Sequence, residues 1–205
     1  MNRVLVMLSG GIDSAVTLAW AHRQQDQILA LSFQYFLRPF RERLAVFRLL
    51  EKYPAKLIEI PLPFLKEVAD FDRNRRKDFP EGYVPNRNMI FYSTAAHYAE
   101  LYGCDRIVGG HTAEDQEAFS DASLNFFDRL QTLINQALLK GEIRIEMPLG
   151  KMTKLQVMQQ ARDWNVPFEN TWSCYWDGTQ PCGTCVSCVE RAEAFQQLGI
   201  VDPCL

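Results

Sequence analysis

The chain has 205 residues, 47% of them apolar and 12% aromatic, which is enough material for one hydrophobic core of ordinary domain size. Its 22 basic and 25 acidic residues leave a formal charge of -3, so no general basic field exists to hold a polynucleotide by counterion release. The opening apolar run is too short to cross a bilayer and ends in turn residues rather than a cleavage pattern, which predicts a cytoplasmic protein without a membrane partner.

In chain order, the apolar run 4–8 predicts a buried strand, Ser9-Gly10-Gly11 a tight loop, and the spacing of Ala15, Leu18, Ala19 and His22 a helix. Strand 28–33, helix 42–53 and strand 57–60 follow, until Pro61 and Pro63 interrupt. The charged stretch 70–82 predicts a surface loop, with a lid over the active site as the sharper reading. Residues 87–102 predict a helix closed by Gly103, 106–108 a strand ending at Gly109-Gly110, and 121–140 a helix stopped by Gly141. Strand 143–147 comes next, and Thr153 caps a helix running to about residue 164. Such alternation predicts an α/β fold with a doubly wound parallel sheet. No repeat or linker divides the chain, so residues 1–205 are expected to form a single domain that includes a metal-stapled segment over 170–205.

Two clusters carry the chemistry. The first is Leu8-Ser9-Gly10-Gly11-Ile12-Asp13-Ser14, between a strand and a helix start, where backbone N–H groups and the helix dipole favour an anion. Two glycines permit close approach of the backbone, Ser9 and Ser14 add hydroxyls, and Asp13 is placed to help hold magnesium on a bound pyrophosphate. The run is neither a Walker A motif nor G-x-G-x-x-G. A plain capped turn is the competing structural reading. The second cluster is Cys174 with Cys182-Gly-Thr-Cys185-Val-Ser-Cys188, two overlapping C-x-x-C knuckles. Four thiolates at this spacing suit a closed, structural zinc site, and they also suit an iron–sulfur cluster. Cys104 and Cys204 fall outside the set.

The SGGIDS run resembles the PP-loop of the ATP-pyrophosphatase superfamily. Together with Pro85-Asn86-Arg87-Asn88, Glu114-Asp115, Ser120-Asp121, Thr171-Trp172-Ser173-Cys174-Tyr175, CGTCVSC, Arg191 and Asp202-Pro203, it resembles the 7-cyano-7-deazaguanine synthase (QueC) family over nearly the whole chain. The resemblance implies ATP cleavage to AMP and pyrophosphate, with 7-carboxy-7-deazaguanine and ammonia as substrates, ATP, Mg2+ and Zn2+ as cofactors, and a homodimer. By the same resemblance Lys154, in a PLGKMTK stretch, lies against the phosphates and acts with Asp13, Ser14 and Arg87 in catalysis. Arg87, Asn88, Asp115 and Asp121 contact nucleotide or substrate; a capping Asn, a surface Arg and solvated loop acids are the alternatives for these four. His111 is a further candidate base, with a strand-end histidine held by a structural hydrogen bond as the alternative. Residues 35–39 read Tyr-Phe-Leu-Arg-Pro where family members show Tyr-Gly-Gln-x-His, and Asn86 stands where they commonly carry glycine. The first departure keeps open a relative that activates a different carboxylate, such as another deazapurine or a protein C-terminus. A PP-loop sulfur-insertion enzyme using the cysteines is a second alternative, and a zinc-knuckle nucleic-acid module is opposed by the acidity and the intact loop.

Overall fold

The computed structural model describes residues 3–35, 38–66 and 83–204. The predicted loop 70–82 and residues 36 and 37 lie outside the described residues.

Five parallel strands form one sheet in the order β3-β2-β1-β4-β5: β1 (Arg3–Met7), β2 (Gln27–Gln34), β3 (Lys56–Pro61), β4 (Arg106–Val108) and β5 (Arg144–Glu146). Val4, Leu5 and Val6 of central β1 are fully buried, as a strand covered on both faces requires. Helices α1 (Ile12–Arg23) and α2 (Phe40–Lys52) pack with two later helices, α6 (Lys154–Asp163) and α7 (Val186–Leu198), in one core layer through Val16, Leu49, Val157 and Phe195. Helices α3 (Arg87–Tyr102) and α5 (Leu124–Ala137) cover the opposite face through Tyr92, Ala95, Phe127 and Leu130, with a short α4 (Ala113–Ala118) between them in sequence. The doubly wound parallel sheet predicted from the sequence is present. Its connections change direction between β1 and β4, which opens a crevice beyond the carboxyl ends of those two strands.

Several boundaries differ from expectation. The helix predicted over 121–140 is only Leu124–Ala137, because Asp121 belongs to a separate 3-10 turn (Ser120–Ala122) and the Ser123 hydroxyl accepts from Phe126 N at 3.2 Å to start the helix. The C-terminal helix Val186–Leu198 and the short Ala113–Ala118 were absent from the sequence reading. Asn86, in place of the usual glycine, sits at φ +53°, a left-handed conformation that asparagine tolerates better than most residues.

The C-terminal end is fastened by a buried ion pair. Arg191 donates from Nε to Asp202 Oδ2 at 2.6 Å and from Nη2 to Oδ1 at 2.8 Å, and its Nη1 reaches Thr171 Oγ1 at 2.9 Å. Both side chains are under 5% exposed. Removing one partner leaves the other charge buried and unpaired, a cost of about 3–5 kcal/mol. Arg191→Met is therefore expected to lower the melting temperature by roughly 6–20 °C, at about 2–4 °C per kcal/mol for a chain of this size. The double variant with Asp202→Leu is expected to regain most of that loss. A scanning-calorimetry shift below about 2 °C in Arg191→Met contradicts this reading of the pair.

Candidate active site and metal centre

The phosphate-type loop leaves the carboxyl end of β1 and runs straight into α1, with Gly11 as the residue before the helix. Gly10 has φ +107°, and a Cβ there would meet the Glu42 carbonyl oxygen at 2.2 Å, so only glycine lets α2 pack this closely. Within the loop, Gly10 N donates to Ser14 Oγ at 3.1 Å, Gly11 N donates to Ser9 Oγ at 3.2 Å, and Ser14 Oγ donates to the Gly11 carbonyl at 2.9 Å. The other loop carbonyls bond outward. The Gly10 carbonyl accepts from Trp172 N at 2.9 Å, and the Ser9 carbonyl accepts from Arg38. These two carbonyls are thus taken up by donors from the protein, while the Gly10 and Gly11 N–H groups meet the loop's own serine hydroxyls, a pattern that suits an anion site.

Lys154, the first residue of α6, extends its Nζ to Asp13 Oδ2 at 2.5 Å across 141 residues of sequence. Two devices place it: Thr153 and Gln156 form a capping box, and the Lys154 N–H donates to Glu114 Oε1 at 2.8 Å. Burial works against the ammonium, but the charge of Asp13 and its hydrogen bond outweigh that and hold the Lys154 pKa above its ordinary value. Asp13 Oδ1 is buried and has no hydrogen-bond partner among the described residues, an orphaned acceptor suited to a hard cation.

Of the remaining predicted substrate residues, Asp115 lies close enough to act on the charges of Asp13 and Lys154, and Asn88 pairs with Asp121. Arg87, at the start of α3, hydrogen-bonds the Tyr35 hydroxyl and contributes its charge to Glu42, His111 and Tyr175. Asn88 and Asp121 hold each other: Asn88 N donates to Asp121 Oδ2 at 3.1 Å, and Asn88 Nδ2 to the Asp121 carbonyl at 3.0 Å. Asp121 thus supplies a carboxylate to the N-terminus of α3. Asp115 Oδ2 accepts from Thr112 N at 2.8 Å and Thr112 Oγ1 at 3.1 Å, closing the capping box of α4. Sequence reasoning gave no role beside the phosphate-type loop to Arg38, Glu42, Tyr175 or Glu190. Glu42 carries a raised pKa because burial opposes its charge more than Arg38 and Arg87 support it. Glu190 does too, mainly from burial, with Lys154 opposing. The one available signal was the i,i+4 spacing of Arg38 and Glu42.

His111 lies beside the rings of Phe127 and Tyr92, with centroids at 5.2 and 6.0 Å. Burial is the main cause that pushes its pKa from 6.5 down to about 4, and Arg87 adds to it. The folded state thus keeps the imidazole neutral while the unfolded chain takes up a proton near pH 6.5. Stability from this group is complete above pH 6.5 and is lost as pH falls towards 4, at up to about 1.4 kcal/mol per pH unit. His111→Gln is expected to flatten the pH dependence of the urea midpoint in that window relative to the parent protein. Equal slopes in the two proteins contradict the assignment.

The four sulfurs of Cys174, Cys182, Cys185 and Cys188 lie within 4.8 Å of one another, and Cys182 Sγ is 3.9 Å from Cys188 Sγ. A tetrahedral ion with metal–sulfur bonds of about 2.3 Å requires sulfur separations of about 3.8 Å, so the set fits. Backbone N–H groups turn toward the sulfurs: Trp176 and Cys182 donate to Cys174 Sγ at 3.4 Å, and Cys185 donates to Cys182 Sγ at 3.3 Å. Hydrogen bonds from the Thr184 and Cys185 N–H groups bring the Cys182 thiol down to about 6, within reach of thiolate at neutral pH. Cys185 caps α7 and Cys188 lies in its first turn, so an ion held here anchors that helix. Trp172, Cys174 and Tyr175 pack with Ala45 of α2, which sets the cluster against the phosphate-loop wall.

The family model described as "Queuosine biosynthesis protein QueC" matches residues 3–199. The 7-cyano-7-deazaguanine synthase of a Nitratiruptor species is 34% identical over 212 residues, covering 98% of this chain and 96% of that protein. The enzyme of the same name from Thermoplasma acidophilum is 34% identical over 216 residues, covering 98% and 91%. Among solved structures, NMN synthetase from Francisella tularensis superposes with a TM-score of 0.55 at 17% identity, covering 98% of this chain and 78% of that one. A 4-thiouridine synthetase solved with RNA and bound ATP gives 0.58 at 17% identity, covering 97% and 50%. These two share the fold. With a family match across nearly all its length and full-length relatives a third identical, this chain belongs to the QueC family.

Proposed function

We propose that the chain is an ATP-dependent carbon–nitrogen ligase that converts 7-carboxy-7-deazaguanine and ammonia into 7-cyano-7-deazaguanine, releasing AMP and pyrophosphate. The observation that carries the reading is the set of relatives named 7-cyano-7-deazaguanine synthase, which match 98% of this chain at 31–34% identity. They favour this reaction over activation of a different carboxylate or insertion of sulfur.

The residues supply a coherent division of labour. A carboxylate is a poor electrophile until one oxygen becomes part of a good leaving group. The loop 8–14, with its Ser9 and Gly10 carbonyls taken up by the protein and the Gly10 and Gly11 N–H groups next to serine hydroxyls, suits the β,γ-pyrophosphate and leaves the α-phosphorus open to attack by the carboxylate oxygen. Lys154 supplies positive charge where pyrophosphate leaves, and Arg87 supplies it where the carboxylate binds. Ser9 and Ser14 contribute hydroxyl donors. Ammonia displaces AMP to give the amide. A second attack, by the amide oxygen on ATP, and loss of AMP give the nitrile, so both carboxylate oxygens depart in AMP. No protein nucleophile is required. Asn88, Asp115 and Asp121 are best suited to ordering the substrate side of the crevice, since each already bonds the backbone that shapes it. Asp13 and the loop would hold magnesium, which neutralises the charge of the leaving pyrophosphate. The four cysteines would hold zinc, whose filled sulfur shell gives it a structural role. We further infer one domain across 1–205, a cytoplasmic location and a homodimer.

Exchange of labelled pyrophosphate into ATP tests the adenylation step. It is expected only when the carboxylate is present, and to be lost in Ser14→Ala. Exchange without carboxylate, or products limited to ADP and phosphate, overturns the reading.

A further inference from the structure

Arg38 lies in the stretch that departs from the family pattern, yet its side chain is only 3% exposed and points at the phosphate loop. Its Nη1 donates to Ser32 Oγ at 2.9 Å and to the Phe33 carbonyl at 2.7 Å, both near the end of β2. Its Nη2 donates to the Ser9 carbonyl, and its Nε lies 3.4 Å from Glu42 Oε2. One planar guanidinium therefore spans β2, the first turn of α2 and the loop, which a lysine with a single point of attachment cannot do. Glu42 extends the connection: its carboxylate also faces Ser9 and Arg87.

The Ser9–Gly10 peptide is the one whose orientation matters most. With its carbonyl held by Arg38, its N–H end at Gly10 is directed onto Ser14 Oγ inside the loop. Without Arg38 the carbonyl end of that peptide loses its donor, which leaves the Gly10 N–H bond to Ser14 Oγ to orient it. Trp172 N holds only the next carbonyl, at Gly10.

We propose that Arg38 is a positioning residue for the phosphate loop, which fixes the Ser9–Gly10 peptide so that the loop N–H groups converge on a polyphosphate. Resting on the reading of the loop as an ATP site, Arg38→Met is expected to raise KM for MgATP, and the Kd for a non-hydrolysable ATP analogue measured by titration, by about 10–100-fold, as misplacement of a binding group by about 1 Å does. KM for the carboxylate stays within twofold. Arg38→Lys, which keeps a cation but not the fork, recovers part of the loss. Arg43→Met, which breaks the partly exposed Arg43–Glu59 pair between α2 and β3, is the control and leaves both constants unchanged. Analogue affinity in Arg38→Met within twofold of the parent overturns the proposal, as does a rise confined to KM for the carboxylate. If the parent protein releases ADP and phosphate, the reading of the reaction fails while the analogue affinities still decide the role of Arg38.

Discussion

Lys154→Met is expected to slow pyrophosphate release by about 100–1,000-fold, the range seen when one preorganised donor to developing charge is removed. Two effects compete at this residue. The Lys154–Asp13 pair leaves each side chain 27% exposed, so its contribution to folding is at most about 1 kcal/mol after solvent screening. The same ammonium placed against a leaving pyrophosphate accounts for about 3–4 kcal/mol of barrier. Activity is therefore expected to collapse while the melting temperature moves by only a few degrees. Glu114, Asp115 and Glu190 make the outcome sharper, because with the lysine gone these acids and Asp13 repel an incoming polyphosphate. Quench-flow measurement of AMP formation checks this. A rate within threefold of the parent removes Lys154 from the chemistry.

Cys185→Ser is expected to abolish stoichiometric metal and to loosen the C-terminal segment first. A closed tetrathiolate contributes folding free energy directly, on the order of 10 kcal/mol in small zinc modules. Residues 171–185 contain no helix or strand. Cys185 stands at the N-cap position of α7, so loss of the metal frees both the knuckle and the helix that carries Glu190 and Arg191. Trp172 is buried and its N–H holds the Gly10 carbonyl, so tryptophan fluorescence should change together with nucleotide affinity. Cys104→Ser is expected to keep the full metal content: that thiol is buried in the opposite core layer and pushed up to about 11 by burial. Elemental analysis decides the outcome. Iron in place of zinc, or a Cys185→Ser protein with stoichiometric zinc and unchanged melting, contradicts the ligand set.

The parts of this fold legible in the sequence are those written in local pattern. Residues 4–8 are apolar without interruption because β1 is covered on both faces, and Ser9-Gly10-Gly11 marks the turn where a positive φ is needed. The cysteine cluster was legible because thiolate spacing within fifteen residues survives any fold around it. Helix Ala113–Ala118 was not, since it buries no residue and is held by a Thr112–Asp115 capping box rather than by an apolar stripe. Helix Val186–Leu198 was hidden because its first turn is spent on cysteines and it carries Glu190 and Arg191, one turned to the crevice and the other to a buried ion pair. Contacts set by topology were the least legible. Lys154 meets Asp13 only because β5 follows β4, and β4 lies beside β1. Arg38 read as part of an altered substrate wall, whereas its side chain folds back on the loop at the adjoining strand end.

The most direct measurement of the proposed reaction is mass spectrometry of products from 7-carboxy-7-deazaguanine labelled with oxygen-18 in both carboxylate oxygens, incubated with the protein, ATP, magnesium and ammonium. Adenylation of the acid and then of the amide predicts 7-cyano-7-deazaguanine, with two AMP per nitrile, one labelled oxygen in each AMP and none in pyrophosphate. Unlabelled AMP, label in inorganic phosphate alongside ADP, or carboxylate recovered unchanged while ATP is consumed would contradict it.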